Sequence, residues 1–164
     1  MLTLFLSACN GSPSPEEVVG LYLSETVQEG METALQRWEL SEVGTEFFTL
    51  DPEQNRIRMD GRRTLATDLT EVLGIPGPRL TWKQEGASYY VIRDGVPLVT
   101  HSLNEAVLAT VEMRVAIEGN GKDTLEERLA FNLWKNPEDS WKITGLDKGS
   151  GVLEPFLDKV REFE

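Results

Sequence analysis

The pattern of apolar residues predicts an α+β fold, in which N-terminal helices pack against an antiparallel sheet formed by the rest of the chain. Up to the Pro76-Gly77-Pro78 breaker, most apolar residues recur every three or four positions, as on one face of a helix. From Arg79 onward they alternate with polar residues at a period of two, which is typical of strands with one buried face. Short turn dipeptides separate these strands and favour antiparallel pairing.

The first half of the chain contains three predicted helices. Ser14 followed by Pro15-Glu16-Glu17 predicts a capped helix start, and this first helix ends before Gly30. A second, short helix is predicted over residues 31–40, with Trp38 on its apolar side. A third contains the apolar positions between residues 65 and 73 and stops at Gly74.

The remaining predicted elements are strands, apart from an amphipathic helix at the C-terminus. The strongest strand signal runs from Glu105 to Glu118, where every second residue from Val107 to Ile117 is apolar. Asp94-Gly95 and Asn120-Gly121 are tight-turn dipeptides that predict hairpins before and after it. In chain order, the predicted strands cover residues 46–50, 56–59, 80–85, 88–93, 96–100, 105–118, 124–134 and 140–146, and the C-terminal helix covers residues 153–163.

The composition is that of one ordinary globular domain with an excess of acidic residues. The chain has 164 residues, of which 40% are hydrophobic and 27% charged, and its net charge is −12. We therefore expect a single folded domain over residues 15–164. The negative charge argues against a nucleic-acid partner and against binding of anionic lipid headgroups through the protein surface. No apolar run reaches the roughly eighteen residues that a membrane-spanning helix needs.

The N-terminal sequence Leu6-Ser7-Ala8-Cys9 resembles the lipobox of bacterial lipoproteins. The resemblance implies that the Cys9 thiol receives a diacylglycerol and that the chain is cleaved before this residue and acylated. Residues 1–8 would then be the remnant of a signal peptide, and residues 9–14 a lipidated cysteine with a flexible tether. The implied location is the bacterial cell envelope, outside the cytoplasm, with membrane contact through the lipid alone. The alternative is a hydrophobic N-terminal strand or tail in which Cys9 is inert.

The order of elements resembles the nuclear transport factor 2-like, or cystatin-like cone, superfamily. The residues that carry this resemblance are the opening Pro15-Glu16-Glu17-Val18-Val19 and the closing Ser140-Trp141-Lys142-Ile143. The resemblance implies a strongly curved, cone-like sheet wrapped around a long first helix. It leaves activity open, because the superfamily includes isomerases, dehydratases and non-catalytic binding modules.

Several aromatic residues are candidates for contact with a ligand. Trp38, Trp82, Tyr89 and Tyr90 could line the mouth of a cone and hold a small apolar molecule. The alternative is that these residues belong to the ordinary hydrophobic core.

Trp134 is a separate candidate because it falls on the polar face of its strand. On the neighbouring strand, Leu108 and Ala116 would share this face and form an apolar patch. Such a patch suits a homodimer or an envelope protein partner, and the alternative is that the C-terminal helix covers it.

His101 is the single histidine and could act as a general base, although a lone histidine without a placed partner is more often a loop residue. The sequence predicts no metal site and no cofactor. We therefore expect a non-enzymatic binding or assembly module anchored by lipid. The alternative is a small-molecule enzyme, isomerase-like or dehydratase-like, that uses His101 or a buried aspartate.

Overall fold

The computed structural model describes residues 12–40, 59–74, 79–118, 124–146, 158–160 and 162, and it confirms the α+β class. Helices from the N-terminal half pack against one five-strand antiparallel sheet. None of the described helices is long and apolar enough to cross a membrane. The lipobox, the predicted strand over residues 46–50 and the Asn120-Gly121 turn lie outside the described residues. The helices are α1 (Pro15–Gln28), α2 (Met31–Leu35) and α3 (Met59–Gly74), and the strands are β1 (Leu80–Arg93), β2 (Val96–Thr100), β3 (Leu108–Glu118), β4 (Thr124–Lys135) and β5 (Trp141–Leu146).

Helix α1 begins where the sequence predicts, at a capping box. The Glu17 backbone N–H donates to the Ser14 hydroxyl at 3.2 Å, and the Ser14 backbone N–H donates to the Glu17 carboxylate at 2.9 Å. Pro15 occupies the first turn, where backbone N–H groups have no partner within the helix, so the N–H that proline lacks is not needed there. These local contacts fix the start of the helix that covers the sheet.

Helix α2 ends at Leu35, so the prediction of a helix over residues 31–40 was wrong in its second half. Trp38 instead forms a parallel bridge with Ile143 on β5. The Glu39 backbone N–H donates to the Ile143 carbonyl at 2.9 Å, and the Ile143 N–H donates to the Arg37 carbonyl at 2.8 Å. Pairing with the sheet edge overrides the helical spacing of this segment.

The third helix begins at Met59, which the sequence assigned to the end of a strand. At the C-terminus, residues 158–160 and 162 are helical, and Val160 is 1% exposed within the main core. The described part of the predicted C-terminal helix is therefore helical, with an apolar residue buried.

The strands lie side by side in the order β2-β1-β3-β4-β5. Strand β1 is continuous, whereas the sequence predicted two strands separated at Gly86. The irregularity before Gly86 is a bulge at Glu85, because the register with β3 shifts between Gln84 and Gly86. The predicted Asp94-Gly95 turn is confirmed, with positive φ angles of 53° and 77° at these two residues. Strand β3 begins at Leu108, later than the predicted start at Glu105.

The core lies between the helices and one face of the sheet, which we call the inner face. At its centre, the Tyr22 side chain on α1 is fully buried and makes edge-to-face contacts with Trp38 and Phe131, with ring centroids 6.0 and 6.1 Å apart. The Tyr22 and Thr70 hydroxyls are 2.7 Å apart, and Thr70 donates to the Ala66 carbonyl at 2.6 Å. The Thr70 proton is thus committed to α3, so Tyr22 is the donor in the hydroxyl pair.

We expect Ser14→Ala to lower the free energy of unfolding by about 1 kcal/mol, because the substitution removes the side-chain acceptor of the capping box. Urea unfolding followed by circular dichroism measures this change. Ser24→Ala is the matched control. Ser24 lies inside α1, where alanine is at least as favourable as serine, so this variant should retain full stability. Equal loss in both variants would show that the cap does not stabilise the helix.

Candidate functional site

The aromatic residues singled out in the sequence divide between the two faces of the sheet. Trp82 on β1 pairs with Val115, and Tyr89 pairs with Ala109, and both partners are core residues. Directly opposed residues in an antiparallel pair share a face, so Trp82 and Tyr89 lie on the inner face. Tyr90 instead lies on the other side, which we call the outer face, because side chains alternate along a strand.

The bulge at Glu85 decides which aromatic residues share a face. Trp82 and Tyr90 are separated by an even number of positions, so a regular strand would place them together. The extra residue reverses the alternation and places Trp82 with Tyr89 instead. The Glu85 carboxylate accepts hydrogen bonds from Arg114 Nε at 2.9 Å and Arg128 Nε at 3.0 Å. The hydrogen bond from Arg114, followed by the charges of both arginines, lowers the pKa of the Glu85 carboxyl.

On the outer face, Tyr90 and Trp134 stand on either side of Leu108. The sequence did not predict that these two aromatic residues share a face. Val99, Tyr90, Leu108 and Trp134 stand in register across β2, β1, β3 and β4, and we call these four residues the apolar row. Leu108 is 1% exposed between its two half-buried aromatic neighbours, whereas Val99 at the end of the row is 65% exposed. The row therefore runs from a buried centre to an exposed strand at the sheet edge.

Beside the apolar row lies a buried amide on β4. Asn132 is 3% exposed, and its Oδ1 accepts from the Thr110 hydroxyl at 3.2 Å. No described group accepts a hydrogen bond from its Nδ2 atom. A buried donor without a partner lowers the stability of the fold by roughly 1–3 kcal/mol. Packing alone therefore does not favour an amide at this position.

Strand β2 carries most of the exposed large hydrophobic residues in the described part of the chain. Among the described residues, four large hydrophobic side chains are exposed, and three of them are Val96, Leu98 and Val99, at 52%, 45% and 65%. The strand is at the edge of the sheet, and the whole segment Val96–Thr100 contains no charged residue. This surface was not predicted from the sequence, although an uncharged strand in a chain of net charge −12 was a readable signal.

A second group of interest joins α1 to β1 on the inner face. The Tyr89 hydroxyl donates a short hydrogen bond to Glu16 Oε2. The other carboxylate oxygen, Glu16 Oε1, is buried and has no hydrogen-bond partner among the described residues. Burial, with the hydrogen bond and charge of Glu16, raises the pKa of Tyr89 to about 12. The pair thus holds an acceptor oxygen ready for a hydrogen-bond donor.

The other candidates from the sequence lie elsewhere. Trp38 is 3% exposed and packs against Tyr22 in the core, as the core alternative predicts. Trp82 is half-buried and packs against the core cluster. His101 is exposed in a bend after β2, and its imidazole makes no hydrogen bond or ion pair with the described residues. The structure therefore does not join these three residues into one site.

The described residues contain no group of three or more His, Cys, Asp or Glu side chains that could hold a metal ion. The apolar surface that the structure does describe consists of the apolar row on the outer face and the exposed Val96 and Leu98 on the opposite face of β2. No protein-family model, no curated protein and no solved structure matches the chain.

Proposed function

We propose that this chain is a lipid-anchored module of the bacterial cell envelope whose folded domain binds or assembles with another molecule. The observation that carries the binding part is the exposed, uncharged strand β2, continuous with the apolar row. The anchor part rests on the lipobox-like sequence ending in Cys9. The resemblance to the cone-like superfamily belongs to the same proposal, because that superfamily includes binding modules.

The exposed strand supports binding on energetic grounds. Burying apolar surface contributes about 25 cal/mol per Å², and the Val96, Leu98 and Val99 side chains each keep about half of their surface in water. Exposed apolar groups that cluster at one place mark an interaction site more often than a scatter of single residues. Strand β2 also lies at the end of the strand order, and no described segment pairs with its outward side, so its backbone groups there can bind a partner strand.

The sequence before α1 supports the anchor. Cys9 is the single cysteine, so it cannot form a disulfide within the chain, and a lipid explains its presence beside small residues. The following residues, 10–15, are Asn, Gly, Ser and Pro, a composition suited to a flexible tether. Several acyl chains on one cysteine would hold the domain firmly at a membrane.

A second candidate function is a small-molecule enzyme, isomerase-like or dehydratase-like, and the Glu16–Tyr89 pair favours it. In this alternative the carboxylate of Glu16, rather than His101, receives a proton from the substrate. Its Oε1 atom is the free acceptor, and Tyr89 orients the carboxylate through Oε2. A buried acceptor costs stability, so a role in binding a substrate donor would account for its retention.

We expect Cys9→Ser to move the full-length chain from the membrane fraction to the soluble fraction of a bacterial host. Ser12→Ala, three positions beyond the lipobox, is the matched control and should stay with the membranes. Intact mass of the membrane-bound protein should fit cleavage before Cys9 plus acyl chains. A natural chain that is unmodified and found in the soluble fraction would contradict the anchor.

The Glu16–Tyr89 pair makes a prediction about pH. The pKa of Tyr89 lies above its ordinary value of 10.0, at about 12, so the folded state holds this proton more tightly than the unfolded state. The stability that this contributes is complete below about pH 10 and is lost as the pH rises toward 12.

Glu16→Gln should therefore lower the pKa of Tyr89, although not fully to 10.0, because burial is the larger cause and remains. Tyrosinate absorbance during a pH titration measures the shift, and the difference from Tyr89→Phe isolates the signal of this residue. Glu32→Gln, at an exposed position on α2, should leave the titration unchanged. An unchanged Tyr89 titration in Glu16→Gln would show that the pair does not form in solution.

A further inference from the structure

The two edges of the sheet differ in how they are covered. At one edge, β5 is paired with the segment around Trp38 through the backbone hydrogen bonds of Arg37 and Glu39. At the other edge, β2 pairs with β1 on one side, and no described segment pairs with its outward side. An open edge is a template for a further strand, and natural edge strands commonly carry charges that prevent this. Strand β2 carries none.

The register identifies which backbone groups of β2 face outward. The Tyr90 carbonyl accepts from the Val107 N–H at 2.9 Å on the side of β3, so the backbone groups of Tyr90 point away from β2. Val99, the residue opposite Tyr90, must then direct its own N–H and carbonyl away from β1. The same alternation places the Pro97 carbonyl outward, at a residue that has no N–H to offer.

We propose that β2 pairs with β2 of a second copy of this chain, antiparallel and with the two-fold axis at Val99, so that the two sheets become continuous. The Val99 N–H of each copy then donates to the Val99 carbonyl of the other. The next outward residue, His101, donates its N–H to the Pro97 carbonyl of the other copy. The partner is thus another molecule of the same protein, joined by an isologous contact.

Pro97 disfavours the neighbouring register that is centred on Leu98. With the axis at Leu98, Pro97 of one copy would stand opposite Val99 of the other, and the Val99 carbonyl would find no donor. With the axis at Val99, the proline carbonyl accepts from His101 near the end of the strand, and the central pair is complete. The missing N–H of Pro97 therefore argues against the pairing centred on Leu98.

The side chains are compatible with the same axis. Val99 and its copy would be directly opposite on the outer face, where β-branched pairs are favourable cross-strand neighbours. The apolar row would then run without interruption from Trp134 of one copy to Trp134 of the other. On the inner face, Leu98 of each copy would approach Thr100 of the other, and no charged residue of β2 enters the contact.

The net charge of −12 on each copy opposes association, and the uncharged strand is where that opposition is smallest. Salt screens this repulsion, so the dimer should become tighter as ionic strength rises. A contact with a basic partner would show the opposite dependence. A stable interface usually covers roughly 800 Å² on each partner, and a single pair of short strands is a narrow contact by comparison. We therefore expect a dimer that dissociates on dilution.

The experiment is sedimentation of the full chain over a range of concentrations, for the natural sequence and for charge variants at Val99. Val99→Lys and Val99→Glu should each weaken dimerisation roughly tenfold or more, because like charges would face each other across the axis. A mixture of the two variants should form a heterodimer, because the opposed charges then have opposite signs. Thr81→Lys is the matched control, on the outer face of β1 outside the segment paired with β2, and should dimerise normally.

A second pair of variants tests the backbone contact itself. Val99→Pro removes the outward N–H and leaves the β1–β2 hydrogen bonds in place, so it should abolish the dimer while the monomer stays folded. Val99→Ala keeps the N–H and should weaken the dimer less than Val99→Pro does. Circular dichroism of each variant reports that the fold is retained.

Three results would overturn the proposal. The first is a natural chain that stays monomeric at high concentration and high salt. The second is a dimer that Val99→Lys and Val99→Pro leave intact, since its interface must then lie elsewhere. The third is a monomer that instead binds an unrelated extended peptide along β2. None of these results bears on the lipid anchor, which the mass and fractionation of the Cys9 variant test separately.

Discussion

Tyr22 is the side chain on which the two layers of this fold depend. Its ring fills the space between α1 and the sheet, in contact with Trp38 and Phe131, and its hydroxyl donates to Thr70 on α3. Burial raises the pKa of Tyr22, so the side chain stays neutral in the core. A phenylalanine would fill the same volume but would leave the Thr70 hydroxyl without its donor. One residue thus joins two helices, a connecting segment and the sheet.

The packing around Tyr22 also accounts for the covered edge of the sheet at β5. Trp38 must reach the core to meet Tyr22, and in doing so it brings residues 37–39 alongside β5, where their backbone groups pair with Ile143. That edge is therefore closed by the same contact that completes the core. Among the described residues no comparable contact covers β2, whose Val96, Leu98 and Val99 residues are exposed.

The sequence predicted the features that depend on neighbouring residues and missed those that depend on distant ones. The Ser14 cap and the Asp94-Gly95 turn were correct because their hydrogen bonds and φ angles are set within a few positions. The end of α2 was wrong because its cause, pairing with Ile143, lies across the chain. The Glu16–Tyr89 contact spans 73 positions, and no local pattern signals it. Tyr89 and Tyr90 were expected to line one cone mouth together, but alternation along β1 places them on opposite faces, and the bulge groups Tyr89 with Trp82.

The two functional proposals concern different faces of the same strand pair, which makes them separable. Tyr89 and Thr100 stand opposite each other on the inner face, near Glu16, whereas Tyr90 and Val99 stand opposite on the outer face. Pairing of two β2 strands would involve the backbone of Val99 and would leave the carboxylate of Glu16 untouched. It would nevertheless bring the inner-face pairs of both copies near the two-fold axis, with only the β2 strands between them. A protein that both associates through β2 and binds a ligand at Glu16 would therefore carry its two sites close together, so association through β2 could alter binding at Glu16 without any change in the core.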